Sequence, residues 1–167
     1  GWNRIYGRKG FAQFQCVLPL DSARPGLRAL LQAISAAGQG SFLAVLKRLG
    51  AQDSPFSFPM EGYTLALDFP VNRRSLQLMQ DLDRITIAHG GRFYLAKDSL
   101  SEGAKIAAMY PDWPKGRDVA ARADPKGPLQ TGLTRRLNLR SMAGARHGSL
   151  SGRPLAWRGS LSSFRLR

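Results

Sequence analysis

From Phe11 to Leu18 the chain alternates. Ala12, Phe14, Cys16 and Leu18 fall on one face, apolar throughout and suited to a core. Phe11, Gln13, Gln15 and Val17 fall on the other, and two glutamines in succession suit either an exposed edge strand or the wall of a polar pocket. The period then changes. Leu27, Leu30, Leu31 and Ile34 form a stripe at helical spacing and predict a helix over Ser22 to Ala37, with Asp21 or Ser22 as its cap, Pro25 in its first turn and Gly38 at its end. Ser41 to Leu49 is strand-like, with Leu43, Val45, Lys47 and Leu49 on one face, and Gly50, Pro55 and Pro59 mark 50–61 as a loop. Tyr63 to Phe69 alternates again: Tyr63, Leu65, Leu67 and Phe69 make an apolar face, while Thr64, Ala66 and Asp68 make a small, polar one.

Leu78, Leu82 and Ile85 predict a second helix from Ser75 to His89, stopped by Gly90-Gly91. Arg92 to Ala96 reads as a short strand, with Lys97 and Asp98 at its exit. Ser99 and Glu102 have capping-box spacing and predict a helix running to Met109. A turn over Tyr110 to Pro114, a short helix containing Arg117 and Arg122, a break at 124–128 and a last element from Thr134 to Leu139 complete the series. Hairpin-like strand neighbours with interspersed helices predict an α+β fold, a largely antiparallel sheet with helices packed on one side.

Composition narrows the class. At 167 residues, with 43% hydrophobic and 22% charged positions, the chain has material for one ordinary core. No apolar run is long enough to span a bilayer. One cysteine excludes an internal disulfide framework and fits a reducing, cytoplasmic compartment; with only two histidines, far apart, a metal site is not expected. The start at Gly1 reads as mid-protein sequence. A net charge of +14 raises nucleic acid as a partner, and a small basic nucleic-acid-binding protein is the alternative reading. Its distribution argues against that: 139–167 hold six arginines and no acid, and no strand face interleaves aromatic with basic residues as stacking platforms require. That tail, rich in Gly, Ser and Arg, reads as disordered.

The standard catalytic and phosphate-binding motifs are absent: no G-x-S-x-G, P-loop, H-E-x-x-H or G-x-G-x-x-G occurs. Polar residues on strand faces remain, namely Gln13, Gln15, Lys47, Thr64, Tyr94 and Lys97. Each has a plain alternative: an exposed edge for the glutamines, a solvated strand lysine for Lys47, a core tyrosine for Tyr94, and a loop lysine or an Asp98 partner for Lys97.

Several blocks in order are similar to one family. These are Trp2 to Gly7, Gly10 to Pro19, Ser41 to Lys47, Ser57 to Met60, Gly62-Tyr63, Asp68-Phe69-Pro70, Gly90 to Ser99, Met109-Tyr110-Pro111, Arg122, Asp124-Pro125 and Arg135-Arg136-Leu137. They resemble the late part of the decaprenylphosphoryl-β-D-ribose 2-oxidase family, FAD-dependent oxidoreductases of the vanillyl-alcohol-oxidase type related to the D-arabinono-1,4-lactone oxidases. The resemblance implies that 1–92 end a substrate-binding domain and that 93–139 return to an FAD-binding domain lying mostly N-terminal to this chain, with 140–167 as a basic tail. It implies oxidation of a secondary alcohol of a sugar, a polyprenyl-phosphate pentose or a sugar lactone, by hydride transfer to flavin, in cell-wall arabinan biosynthesis. Lys97 matches the active-site lysine beside the isoalloxazine, Tyr94 a flavin-side tyrosine, and Gln13, Gln15, Lys47 and Thr64 pocket positions that contact substrate. Thr64 and Ala66 stand where mycobacterial members have asparagine and cysteine. The resemblance also implies dependence on the missing N-terminal domain, a reductase partner, and a peripheral place at the membrane.

Overall fold

The computed structural model describes residues 2–52 and 57–140. The strongly basic stretch 141–167 and the reading of it as disordered lie outside the described residues.

A 3-10 turn over Trp2–Tyr6 leads into β1 (Phe11–Pro19), followed by α1 (Leu20–Ala36), β2 (Ala44–Leu49), β3 (Gly62–Pro70), α2 (Arg73–Ala88) and β4 (Arg92–Phe93). The strands form one antiparallel sheet in the order β2-β3-β1-β4. Two β-α-β units thus interlock through a hairpin, the split arrangement of ferredoxin-like folds. The α+β, antiparallel expectation holds. A further 3-10 turn (Leu95–Lys97), α3 (Gly103–Met109), α4 (Trp113–Ala123) and α5 (Gly132–Arg136) follow.

The alternation read from the sequence sorts the two faces. β1 and β3 pair with Phe14 opposite Leu67 and Cys16 opposite Leu65. These side chains pack against Ala23 and Leu30 of α1 and Leu78, Met79 and Leu82 of α2 in one buried cluster. Ile106 and Met109 of α3, Tyr110 and Leu137 join the same core. The register puts Gln13 opposite Asp68, Gln15 opposite Ala66, and Val17 opposite Thr64 on the front face, with Lys47 beside Thr64 on β2. Two glycines let the layers approach. Inside α1, a Cβ on Gly26 would meet Leu18 at 2.8 Å. A Cβ on Gly91 would meet the Val17 carbonyl at 2.5 Å, which is closer than any side chain tolerates.

Several local expectations are corrected. α1 begins at Leu20 with no side-chain cap; the Ser22 hydroxyl instead donates to the His89 carbonyl at 2.6 Å, tying α1 to the end of α2. α2 begins two residues before Ser75, where Asn72 and Ser75 cap each other reciprocally. β4 has two residues rather than five: the Tyr94 N–H still bonds the Gln15 carbonyl at 2.8 Å, but the Tyr94 carbonyl accepts from the Lys97 N–H at 3.0 Å and the chain curls into the 3-10 turn. Ser99 caps nothing: α3 starts at Gly103 without a side-chain cap, and Asp98 takes the turn's N–H groups, from Leu100 at 3.2 Å and Ser101 at 3.0 Å. No helix among the described residues is long and apolar enough to cross a membrane.

Candidate functional site

β4 covers only Cys16 and Val17, so the edge of β1 at Gln13–Gln15 is met instead by the 3-10 turn. A shallow cleft opens there. Gln13, Gln15, Tyr94 and Lys97 line it together with Phe14, Phe93 and Asp98, and Asp83 and Met79 reach it from α2. It encloses about 10 Å³, room for one water. Four of the six residues singled out in the sequence therefore meet at one place.

Lys97 is the last residue of the 3-10 turn, not the exit of a strand. It is half-buried, and among the described residues its ammonium has no ion-pair partner. The pairing with Asp98 entertained from sequence does not form, because Arg136 takes the Asp98 carboxylate at 2.8 Å and the Asp98 carbonyl at 3.1 Å. A second charge pair lies behind the cleft. Lys105 reaches Asp83 at 2.8 Å, and the Ser101 hydroxyl donates to the same carboxylate at 3.3 Å. Burial pushes the Asp83 carboxyl above the usual aspartate range, while Lys105 pulls it back. Tyr94 stacks on Phe58, with ring centres 4.7 Å apart.

The glutamines are oriented by neighbours on β3. Gln13 Nε2 donates to Asp68 at 2.6 Å, and Gln15 Nε2 to the Thr64 hydroxyl at 3.2 Å. The edge-strand alternative for them is set aside: both are partly buried and engaged. Lys47 differs. It stands beside Thr64 in register, but it is exposed and does not line the cleft.

Sequence reading placed Asp68 on a small polar face and went no further. The structure makes it a centre: 2% exposed, it also receives the Tyr6 hydroxyl at 3.3 Å, and its N–H donates to the Ser41 hydroxyl at 2.9 Å. Its signal was an acid alternating with Thr64 and Ala66 on a strand whose other face is wholly apolar. Arg136 carried no comparable signal. A larger apolar groove of about 670 Å³ runs along α1 past Leu27, Leu31 and Tyr63 and includes none of the predicted site residues.

Fold and site define a class: an α+β module with its two long helices behind the sheet and an amide- and hydroxyl-bearing face in front. Sequence comparison gives the relationship. The chain is 35% identical over 139 residues, 83% of its length, to decaprenylphosphoryl-beta-D-ribose oxidase of Mycolicibacterium smegmatis, of which the match covers 30%. It is 36% identical over 116 residues, 68% of its length, to an uncharacterized protein in the mprA 5' region of Streptomyces coelicolor, of which the match covers 31%. No family model matches the chain. The chain resembles the C-terminal portion of the decaprenylphosphoryl-ribose oxidase family and spans under a third of the length of the curated relatives it matches.

Proposed function

We propose that this chain is the C-terminal part of an FAD-dependent oxidoreductase that oxidises a secondary alcohol of a sugar, a polyprenyl-phosphate pentose or a sugar lactone. In this reading 1–92 complete a substrate-binding domain and 93–139 return to the flavin domain. The observation that carries it is the Lys97 ammonium, unpaired among the described residues and lining one cleft with two oriented glutamine amides. An uncompensated cation on a rigid turn suits a redox ring that gains negative charge.

The residues present fit one edge of such a group. Lys97 and Tyr94 would meet the ring, while the phosphates and adenine would be held by the part of the protein beyond this chain. Bound FAD supplies a two-electron acceptor. The chain's own residues do the rest. Lys97 places positive charge beside the reacting centre. Gln13 and Gln15 meet sugar hydroxyls with groups that donate and accept. The cleft is too small for a sugar, so substrate lies over the glutamines on the front face; Thr64, 5% exposed, acts there through its bond to Gln15, and Lys47 stands further out on β2. Arginines and lysines elsewhere on the chain suit a phosphate-linked substrate and a peripheral place at an anionic membrane.

The test is a comparison of a full-length flavoprotein carrying this segment with the chain alone. The full-length protein is expected to bind FAD and bleach its absorbance on addition of a prenylphosphoryl pentose or a sugar lactone. The chain alone is expected to do neither. A full-length protein with bound FAD that no sugar reduces overturns the reading.

A further inference from the structure

We propose that Asp68 is a positioning residue that fixes the polarity of the ligand contact at Gln13: it holds the amide with its carbonyl oxygen toward the ligand, so that this point of the site selects a hydroxyl donor. The inference rests on the reading above that the front face binds a sugar, and adds which group of the sugar is read and by what.

An ionised carboxylate only accepts hydrogen bonds. Asp68 therefore takes the NH₂ end of the Gln13 amide, at 2.6 Å, and the other end is committed by elimination. Gln13 Oε1 accepts no hydrogen bond from the described residues, and it is not sealed away, since among those residues no buried side-chain oxygen lacks a partner. An acceptor is thus left open to a ligand on the front face that Gln13 shares with Gln15. A glutamine without such a partner turns either end to a ligand and distinguishes little.

The surroundings of Asp68 maintain the bias. Its other oxygen accepts from the Tyr6 hydroxyl, and no lysine or arginine among the described residues pairs with it. The Tyr6 ring stacks on Phe11 at 4.6 Å and meets the edge of Phe42 at 5.6 Å, an aromatic cap that keeps water from competing. Thr64 does not impose the same choice on Gln15, because a hydroxyl both gives and takes. The selectivity is therefore placed at Gln13.

The experiment measures equilibrium binding to the FAD-loaded full-length protein of a prenylphosphoryl pentose and each of its monodeoxy analogues. Wild type is expected to bind one analogue about tenfold or more weakly than the parent, because a lost donor leaves Oε1 unpaired. Asp68→Asn frees the amide to turn; it should bind the parent about tenfold more weakly and hold that analogue and the parent within about twofold of each other. Gln13→Met keeps the volume without an acceptor and should lose the same discrimination, and it supplies the answer should Asp68→Asn fail to retain FAD. Undiminished discrimination in either folded variant, or none in wild type, overturns the proposal. Wild-type protein that binds no pentoside removes the sugar reading itself, a result distinct from binding without discrimination.

Discussion

Arg136, the last residue of α5, holds Asp98 with its guanidinium 2.8 Å from the carboxylate, and Asp98 directly follows Lys97. The same guanidinium also donates to the Ser101 and Asp98 carbonyls. The pair is largely shielded, with the Asp98 side chain 8% exposed. It therefore does two things at once: it engages the acid next to Lys97 in the chain and pins the turn that carries the lysine.

Replacing Arg136 by Met keeps the stem and deletes the fork. The expected loss is about 2 kcal/mol in denaturant unfolding, since a shielded carboxylate then loses a charged donor. Arg136→Lys should recover only part of it, because one ammonium cannot reproduce a planar fork on three oxygens.

Lys97→Met in the full-length flavoprotein should leave the unfolding midpoint within about 0.5 kcal/mol of wild type, since the ammonium has no partner to lose. The rate of flavin reduction by sugar should fall about 10²- to 10³-fold, the usual effect of deleting one preorganised electrostatic group. Stopped-flow reduction with equilibrium unfolding checks both. A lysine whose removal slows nothing has no catalytic part.

The Asp83 carboxyl sits above its usual range because it is buried, with Lys105 opposing. Between its unfolded and raised folded values the folded chain binds more protons than the unfolded one. Asp83 therefore favours folding less as pH rises from the ordinary aspartate range through the folded value. Lys105→Met should push the carboxyl higher and carry that loss of stability to higher pH, and Asp83→Asn should flatten it. Unfolding midpoints across a pH series, taken as differences from wild type, read both effects.

Cys16 is fully buried, and burial pushes its thiol up to about 12. A neutral, inaccessible thiol does not react with disulfide reagents at neutral pH. Labelling should follow the denaturant unfolding curve and be negligible in native buffer. Rapid native labelling would mean that the sheet opens locally at β1.

The sequence was most legible where structure is periodic. β1 and β3 appear within a residue of their expected limits, and both helical stripes face the core except at Leu31, which is 54% exposed. It was least legible at ends and turns. Asn72 caps α2 where no cap was expected, Ser99 caps nothing, and β4 gives way to a 3-10 turn in which the Tyr94 carbonyl is taken by the Lys97 N–H. The site was half visible. Gln13, Gln15, Tyr94 and Lys97 converge, Lys47 stays outside, and Asp68 and Arg136 stood in the matching blocks without being read as the residues that aim them.

The chain by itself determined which side chains share a face, because alternation and helical stripes depend on neighbours two to four positions apart. It also determined that amides would stand on the polar side of β1. Only the tertiary structure decided which charges pair and which way an amide turns. Asp98 meets Arg136 across 38 positions and Gln13 meets Asp68 across 55, and contacts that distant follow from how strands register and helices dock, which no local pattern records.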